Sequence, residues 1–251
     1  MRSVVVIFSL TVFAVVPLFA QSSTDAKKPL VAVMVSDDHY DADKLLPKLM
    51  ERLGEENGWD IAIVHGHGTP NFRNTEAIDN ADVLVIFIRR LAPPKEQLNR
   101  VRKFVASGRG LVAIRTTSHG FYPGTRDIAE GHDAWTVFDR EVLGSAYSGH
   151  GPNEGGSTIE NVAALSNSPI LKDVLPNTWH SESSLYFFVP VKDDVTIYQT
   201  GSIKDKEMPL TWTRLHDKTR VAYTSLGHQK DFEVPTFQIL LRNMVNWAKE
   251  P

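Results

Sequence analysis

Residues 108–119, GRGLVAIRTTSH, decide the fold class. A glycine pair ends a helical pattern, an apolar run of strand length follows at Leu111–Ile114, and the chain then turns abruptly polar. A strand that ends in such a turn displays the nucleophile in many α/β hydrolytic enzymes. The segment therefore predicts a buried strand of a parallel sheet, with functional groups at its carboxyl end.

Three more apolar runs of strand length precede this one, at residues 30–36, 60–65 and 81–88. Amphipathic helical patterns separate the runs, one over residues 41–53 and another that opens at Pro93. Strands that are apolar on both faces and alternate with helices are typical of a parallel sheet covered on both sides. The sequence predicts an α/β fold with a doubly wound, mainly parallel sheet and helices on both faces.

The chain is less regular beyond residue 115. Residues 116–157 are rich in Gly, His and aromatic residues, and we expect a functional insertion there with a short helix near residues 134–143. Shorter strands are predicted at 184–190, 194–199, 208–214 and 220–225, and a last helix at about 235–249. No linker marks a second domain, so residues 30–249 are predicted to fold as one unit.

The first 20 residues have the pattern of a signal peptide. Arg2 precedes an apolar run from Val4 to Phe19, and Ala20 offers a cleavage point. The run is short for a membrane span, which needs about 20 residues, although an uncleaved anchor is the alternative. We expect a periplasmic or secreted protein, no stable membrane insertion after cleavage, and a flexible leader at residues 21–29.

The composition narrows the classes of function. The 251 residues include no cysteine, which excludes thiol nucleophiles and thiolate zinc sites. The formal net charge is −3 and no basic run occurs, so we expect no nucleic-acid partner. The oligomeric state does not follow from the sequence, and a homo-oligomer is compatible with it.

Polar residues follow the predicted strands, and the carboxyl ends of parallel strands meet at one edge of a sheet. The candidates are Asp38 and His39 after the first strand, Arg115, Ser118 and His119 after the fourth, and His228 after the last. Arg115 stands where a hydrolase carries its nucleophile, but a guanidinium stays protonated and cannot attack. It can hold a carboxylate, a phosphate or a sugar hydroxyl by paired hydrogen bonds, which predicts a substrate-binding floor.

Two chemical roles are open for the histidines of this set. Ser118 and His119 would form a catalytic pair only if their side chains met, and adjacent residues rarely point toward each other, so we expect no pair. His119, His132, His150 and His228 would suit a divalent metal. No two of them have the i, i+4 spacing of a zinc-protease motif, so no metal ligand is assigned. The alternatives are contact with substrate and hydrogen bonds that fix the loop.

Aromatic residues of the insertion point to a carbohydrate. Trp135, Tyr147, Phe121 and Tyr122 lie outside the periodic core faces, and rings beside Arg and His suit a sugar, whose C–H faces pack on them. Anchoring of the long loop is the alternative. Glu182 is a further candidate for substrate binding, with a solvated side chain as its alternative. The expected partner is a small-molecule carbohydrate.

The segment at residues 108–121 resembles the central strand and turn of the ThuA-like (trehalose-utilisation) family. The resemblance continues at Trp135–Gly144, Tyr147–Pro152, Met208–Thr213 and Arg220–His228, and covers about residues 30–249. It implies a flavodoxin-like fold related to class I glutamine amidotransferases. It also implies sugar catabolism, acting on (3-keto) glucosides or disaccharides such as trehalose, often in exported proteins. An amidotransferase reaction is not implied, because the thiol is missing, and Arg115 stands where many relatives carry His.

Three hypotheses of function follow. The first is a hydrolase, lyase or isomerase of keto-sugars or glycosides, with His119, His150 or His228 as acid or base, because a pKa of about 6.5 suits proton transfer near neutral pH. The second is a non-catalytic carbohydrate-binding protein. The third is a metal-dependent hydrolase of ester or amide bonds.

Overall fold

A computed structural model describes residues 27–189 and 192–250 of the chain. The predicted signal peptide at residues 1–20 and the leader up to residue 26 lie outside these ranges. Within the described ranges, no helix has both the length and the apolar character needed to cross a membrane.

Strands and helices alternate through the first half of the chain, and strands dominate the second. The elements are β1 (Leu30–Ser36), α1 (Ala42–Asn57), β2 (Asp60–His65), α2 (Ala77–Asn80), β3 (Val83–Ile88), α3 (Lys95–Ala106), β4 (Gly110–Ile114), β5 (Tyr147–His150), β6 (Ser157–Asn161), β7 (Thr178–Ser181), β8 (Tyr186–Phe188), β9 (Thr196–Ile203), β10 (Lys206–His216), β11 (Thr219–Thr224) and α4 (Pro235–Ala248). Short 3₁₀ turns lie at 115–119, 163–165 and 229–233, and a π-helical turn at 139–143.

A nine-stranded sheet forms the centre of the domain, in the order β2-β1-β3-β4-β11-β10-β9-β6-β7. The first five of these strands run parallel, which confirms the predicted doubly wound α/β fold. The other four extend the sheet in antiparallel fashion. Two-residue turns join β9 to β10 and β10 to β11, and such tight connections impose antiparallel pairing. β5 and β8 pair separately.

Helices cover both faces of the sheet, as the apolar patterns predict. α1 and α4 pack on one face, where Leu46 and Leu240 are fully buried. α2 and α3 pack on the other, where Leu98 and Phe104 are fully buried. All six residues of β3 are buried, because this central strand contacts helices on both sides.

Gly110, in the segment that decides the fold class, lies directly against the end of the last helix. A Cβ atom at this position would overlap the carbonyl oxygen of Ala248. The absence of a side chain therefore lets α4 pack closely on the start of β4.

Three strands are missing from the sequence prediction. β5, β6 and β7 are four or five residues long and mostly polar, so they carry no apolar run. The helix predicted near residues 134–143 is reduced to the π-helical turn at 139–143. The strand predicted at 184–190 is the shorter β8.

The contribution of the buried face of α3 to the free energy of unfolding can be measured by comparing two leucines that differ in burial. Leu98 is fully buried on α3, whereas Leu215 on β10 is 58% exposed. We expect Leu98→Ala to lower the free energy of unfolding by about 2–5 kcal/mol, since it removes packed methyl groups and leaves a cavity. Leu215→Ala should change it by less than about 0.5 kcal/mol. Urea denaturation checks both values, and equal losses would contradict the assignment of the core.

Candidate functional site

The turn after β4 begins with a strained residue. Arg115 takes a φ of +46°, a left-handed conformation that costs a non-glycine residue about 1–3 kcal/mol. The chain then tightens into the 3₁₀ turn at 115–119. The hydroxyl of Tyr223, on the neighbouring β11, donates a hydrogen bond to the Arg115 carbonyl at 2.9 Å and holds the turn in place. The position thus has the sharp geometry of a nucleophile elbow, with a guanidinium in place of a nucleophile.

The guanidinium of Arg115 is fully buried between two tyrosine rings. Its Cζ atom lies 4.3 Å from the ring centre of Tyr40 and 4.6 Å from that of Tyr186, a double cation–π contact. Nη1 donates to the Ser225 carbonyl at 2.7 Å, and Nη2 donates to the Tyr40 and Ser184 hydroxyls at 3.2 Å. A role of Arg115 as the floor of a substrate pocket stays a prediction. The paired Nη hydrogen bonds expected toward a ligand are instead made to the protein.

Predicted site residues gather around both tyrosines. The ring of Tyr186 lies 6.0 Å from that of His119 and 6.3 Å from that of His150. Tyr147 contacts the same group, with its ring 4.3 Å from His119 and 4.8 Å from Tyr186. The insertion and the turn after β4 therefore meet here.

Two more predicted residues lie beside Tyr40. The ring of His39 is 4.6 Å from Tyr40, and the ring of His228 is 5.8 Å from it. These side chains form a row. It begins at His228, continues through Tyr40, the guanidinium of Arg115 and Tyr186, and ends at His119 and His150, which both lie beside Tyr186. We call it the Arg115 row.

His119 is a buried and uncharged member of this row. Burial, with the positive charges of Arg90, Arg89 and Arg115, lowers its pKa to about 3. Ser118 Oγ lies 3.2 Å from His119 Nδ1, so the expectation that these neighbours do not meet is wrong. Both side chains are buried, and a buried hydroxyl needs a hydrogen-bond partner. Because its pKa is far below 7, His119 is poorly suited to proton transfer at neutral pH.

His150 and His228 are held in opposite tautomers. His150 Nδ1 lies 2.6 Å from the Gly151 carbonyl, which can only accept, so Nδ1 carries the proton and Nε2 keeps its lone pair. His228 Nδ1 accepts from the backbone N–H of Lys230 at 3.3 Å, so its proton is on Nε2. Burial lowers the pKa of His228 and keeps its ring neutral at pH 7. One ring therefore offers a lone pair to a ligand, and the other offers a neutral N–H that can donate a hydrogen bond.

A buried carboxylate that sequence reasoning missed fixes His228. Asp231 accepts hydrogen bonds from the Ser181 and Ser183 hydroxyls at 2.6 and 2.7 Å. It also accepts from the backbone N–H groups of Gly227 and His228, both at 2.9 Å. An Asp three residues after His228 is the spacing of a capping box, and that signal could have revealed it.

The two carboxylates that follow β1, Asp37 and Asp38, differ in burial. The structure places Asp38 and His39 on the surface, although the His39 ring still contacts Tyr40. Asp37 is buried, and it accepts from the Thr116 hydroxyl at 2.7 Å and from the His39 N–H at 2.9 Å. Burial raises its pKa. Asp37 points into the fold, whereas Asp38 is exposed, and a role of Asp38 in substrate binding stays a prediction.

A cavity of about 440 Å³ opens beside the Arg115 row. Its lining includes Arg90, Ser118, His119, Trp135, Asp139 and Tyr147. Trp135 also donates from Nε1 to Glu141 at 2.8 Å, so it anchors the loop as well as lining the cavity. Phe121 belongs to the core, and Tyr122 is 44% exposed. A larger cavity of about 1000 Å³ has His150 in its lining.

Two other candidate site residues, Glu182 and His132, make contacts within the loops. Glu182 is half exposed and lies 3.6 Å from Lys230 Nζ, which fits the solvated alternative. His132 Nδ1 hydrogen-bonds the Glu130 carbonyl at 3.1 Å and its backbone bridges to Pro94, which fits the loop-fixing alternative. Across residues 27–189 and 192–250, no three His, Asp or Glu side chains are arranged to hold a metal ion.

Comparisons with known proteins agree with this architecture. The family model described as "ThuA: Trehalose utilisation" matches residues 31–248. A putative ThuA-like protein from Bacteroides uniformis superimposes with a TM-score of 0.64 at 17% identity, covering 89% of this chain and 93% of that one. One from Parabacteroides merdae gives 0.59 at 15% identity, with 89% and 90% covered. A cytoplasmic protein from Salmonella typhimurium gives 0.57 at 15% identity, with 88% and 100% covered. No curated protein matches the sequence.

The lowered pKa of His119 makes the stability of the protein depend on pH. In the unfolded chain His119 binds a proton once the pH falls below its ordinary pKa of 6.5, whereas in the folded chain it stays neutral down to about pH 3. Stability due to the neutral ring is therefore present above pH 6.5 and is lost as the pH falls, at up to about 1.4 kcal/mol per pH unit. In His119→Asn, which keeps a polar group for Ser118, we expect this part of the slope to disappear. Urea denaturation between pH 4 and 7 measures it, and parallel curves for both proteins would contradict the assignment.

Proposed function

The chain belongs to the ThuA family, described as trehalose utilisation, and from this premise we propose that it is an exported enzyme of carbohydrate catabolism that acts on (3-keto) glucosides or disaccharides. Membership of the family supports a carbohydrate-related role. The substrate class, the reaction and export to the periplasm or medium are our proposal. The apolar N-terminal run at Val4–Phe19 supports export.

The opposite tautomers of His150 and His228 carry the proposal. A ketone makes the C–H bond on the neighbouring carbon acidic, so a base can remove that proton. If the glycosidic C–O bond then breaks, an acid must protonate the departing oxygen. The lone pair on His150 Nε2 can take the first proton, and the neutral His228 Nε2–H can donate a hydrogen bond to the departing oxygen, whose proton then comes from water. The same pair serves hydrolysis or isomerisation of a keto-sugar.

The surroundings of the Arg115 row suit a sugar ring. Tyr147 and Trp135 present aromatic surface to the cavity of about 440 Å³, and this volume is in the range of small-molecule sites. Ser118 and Arg90 in the same lining offer hydrogen bonds to hydroxyl groups. The buried charge of Arg115 favours an oxyanion that develops beside the row.

A second candidate function is binding of a carbohydrate without turnover. The observation that favours it is Arg115 itself, because the elbow position holds a residue that cannot be a nucleophile. Such a protein would bind sugars saturably and release them unchanged.

The two histidines can be tested against a third that lies far from the site. We expect His150→Ala and His228→Ala to reduce turnover of a keto-glucoside panel by about 10²–10⁴-fold, since the first removes the base and the second removes the hydrogen-bond donor to the leaving oxygen. His216→Ala is the matched control, because His216 pairs with Thr219 at the opposite edge of the sheet and should keep its activity. Circular dichroism verifies that each variant is folded.

Two outcomes separate the candidate functions. Full activity in folded His150→Ala and His228→Ala would contradict the roles assigned to these two histidines. Saturable binding of a sugar by the native protein in calorimetry, with no turnover of any panel member, would favour the binding protein.

A further inference from the structure

The cavity of about 1000 Å³ is not used by the proposed function except for His150 in its lining. Its walls come from β6, β7 and β8 and from the turn that joins β9 to β10. No residue is shared between its lining and that of the cavity of about 440 Å³. Its volume is at the upper end of the range of small-molecule sites, so it has room for a ligand group of its own.

Three polar side chains stand side by side in the wall of this cavity. Thr158 on β6 pairs with His180 on β7 and with Ser202 on β9. Residues directly opposite one another in antiparallel strands project from the same face of the sheet, about 5 Å apart. Thr158 and His180 are exposed, and Ser202 is partly exposed. These three residues, which we call the Thr158 patch, offer two hydroxyls and an imidazole to a ligand rich in hydroxyl groups.

A lysine is held in the same lining. Nζ of Lys206 lies 4.5 Å from the ring centre of Phe187, a cation–π contact that positions an ammonium group with three donors. The formal charges of the lining balance, because Lys204 and Lys206 are matched by Glu154 and Asp205. A neutral ligand therefore suits this cavity better than a charged one.

The two cavities are neighbours along β5. Tyr147 and Ser148 line the smaller cavity, whereas His150 lines the larger one. Ser148 and His150 are two positions apart, which is about 7 Å along a strand. Between them, a Cβ atom placed on Gly149 would have no heavy atom of the described residues within 4 Å, apart from its own chain neighbours. No side chain at this position separates the two cavities, so a ligand has room to extend past it.

We propose that the cavity of about 1000 Å³ is a second sugar-binding subsite, where the Thr158 patch and Lys206 bind a neutral sugar unit linked to the unit in the smaller cavity. This inference rests on the proposed function, because it takes the unit in the smaller cavity to be a sugar. His150 lines the larger cavity and also contacts Tyr186 of the Arg115 row, so it lies beside the linkage between the two units. The second subsite determines which glycoside is bound, because its hydrogen bonds reach only the second unit.

The test compares ligands that have one or two sugar units. Calorimetry on the full-length protein measures the affinity for methyl α-glucoside and for three disaccharides, trehalose, maltose and cellobiose. We expect at least one disaccharide to bind about tenfold or more tightly than methyl α-glucoside, because two or three additional hydrogen bonds reach that ratio.

A double variant locates the effect. In Thr158→Val, Lys206→Gln we expect the affinity for the disaccharide to fall to within about twofold of that for methyl α-glucoside, because donors of the second subsite are removed. The affinity for methyl α-glucoside should not change, since neither residue lines the smaller cavity. Both residues are exposed, so the variant should fold.

The matched control is Thr178→Val, Lys218→Gln. Thr178 is exposed on β7, and Lys218 is exposed in the turn between β10 and β11. Neither residue lines either cavity, so all four affinities should stay the same.

The outcomes separate the second subsite from the proposed function. Equal affinity for methyl α-glucoside and all three disaccharides would overturn the subsite and leave the proposed function intact. A preference for a disaccharide that persists in Thr158→Val, Lys206→Gln would overturn it as well. If none of the four sugars binds, the subsite is overturned, and turnover of the keto-glucoside panel decides the proposed function separately.

Discussion

The arrangement of the site depends on burying one positive charge. The guanidinium of Arg115 has two tyrosine faces around it and three oxygen acceptors. The four residues that supply them, Tyr40, Ser184, Tyr186 and Ser225, come from three separate parts of the chain. Each partner also positions something else, since Tyr186 contacts two histidines and Tyr40 contacts two more. A lysine would not reproduce this, because only a planar group can stack on two rings while donating at its edge.

The parallel half of the sheet could be predicted from the sequence because burial on both faces leaves unbroken apolar runs, as in β3 and β4. The antiparallel outer strands were harder to predict from the sequence. β6 and β7 hold together through backbone hydrogen bonds, and their side chains alternate between buried and exposed without an apolar signature. Their place at the outer end of the sheet follows from pairing with β9, which is a long-range contact that no local pattern reveals.

Much of the site could be predicted from one topological rule. His119, His150 and His228 are brought into one row with Arg115, although the chemical role of each remains a prediction. The residues that were missed, Asp37 and Asp231, are buried polar groups. Their side chains accept hydrogen bonds from partners far along the chain, and apart from the capping-box spacing of Asp231, nothing in their neighbourhoods distinguishes them from solvated aspartates. Tyr40 and Tyr186 were missed for a similar reason.

The pairing of β4 with β11 has a consequence for how the protein is synthesised. The hydrogen bond from Arg115 to the Ser225 carbonyl joins residues 110 positions apart, and β11 is the last strand of the chain. Contacts of such separation form only after the intervening loop has closed. A nascent chain that has left the ribosome as far as the insertion therefore carries an unshielded arginine and no pocket. The site is complete only once β11 has docked beside β4 and the Ser225 carbonyl accepts from the guanidinium.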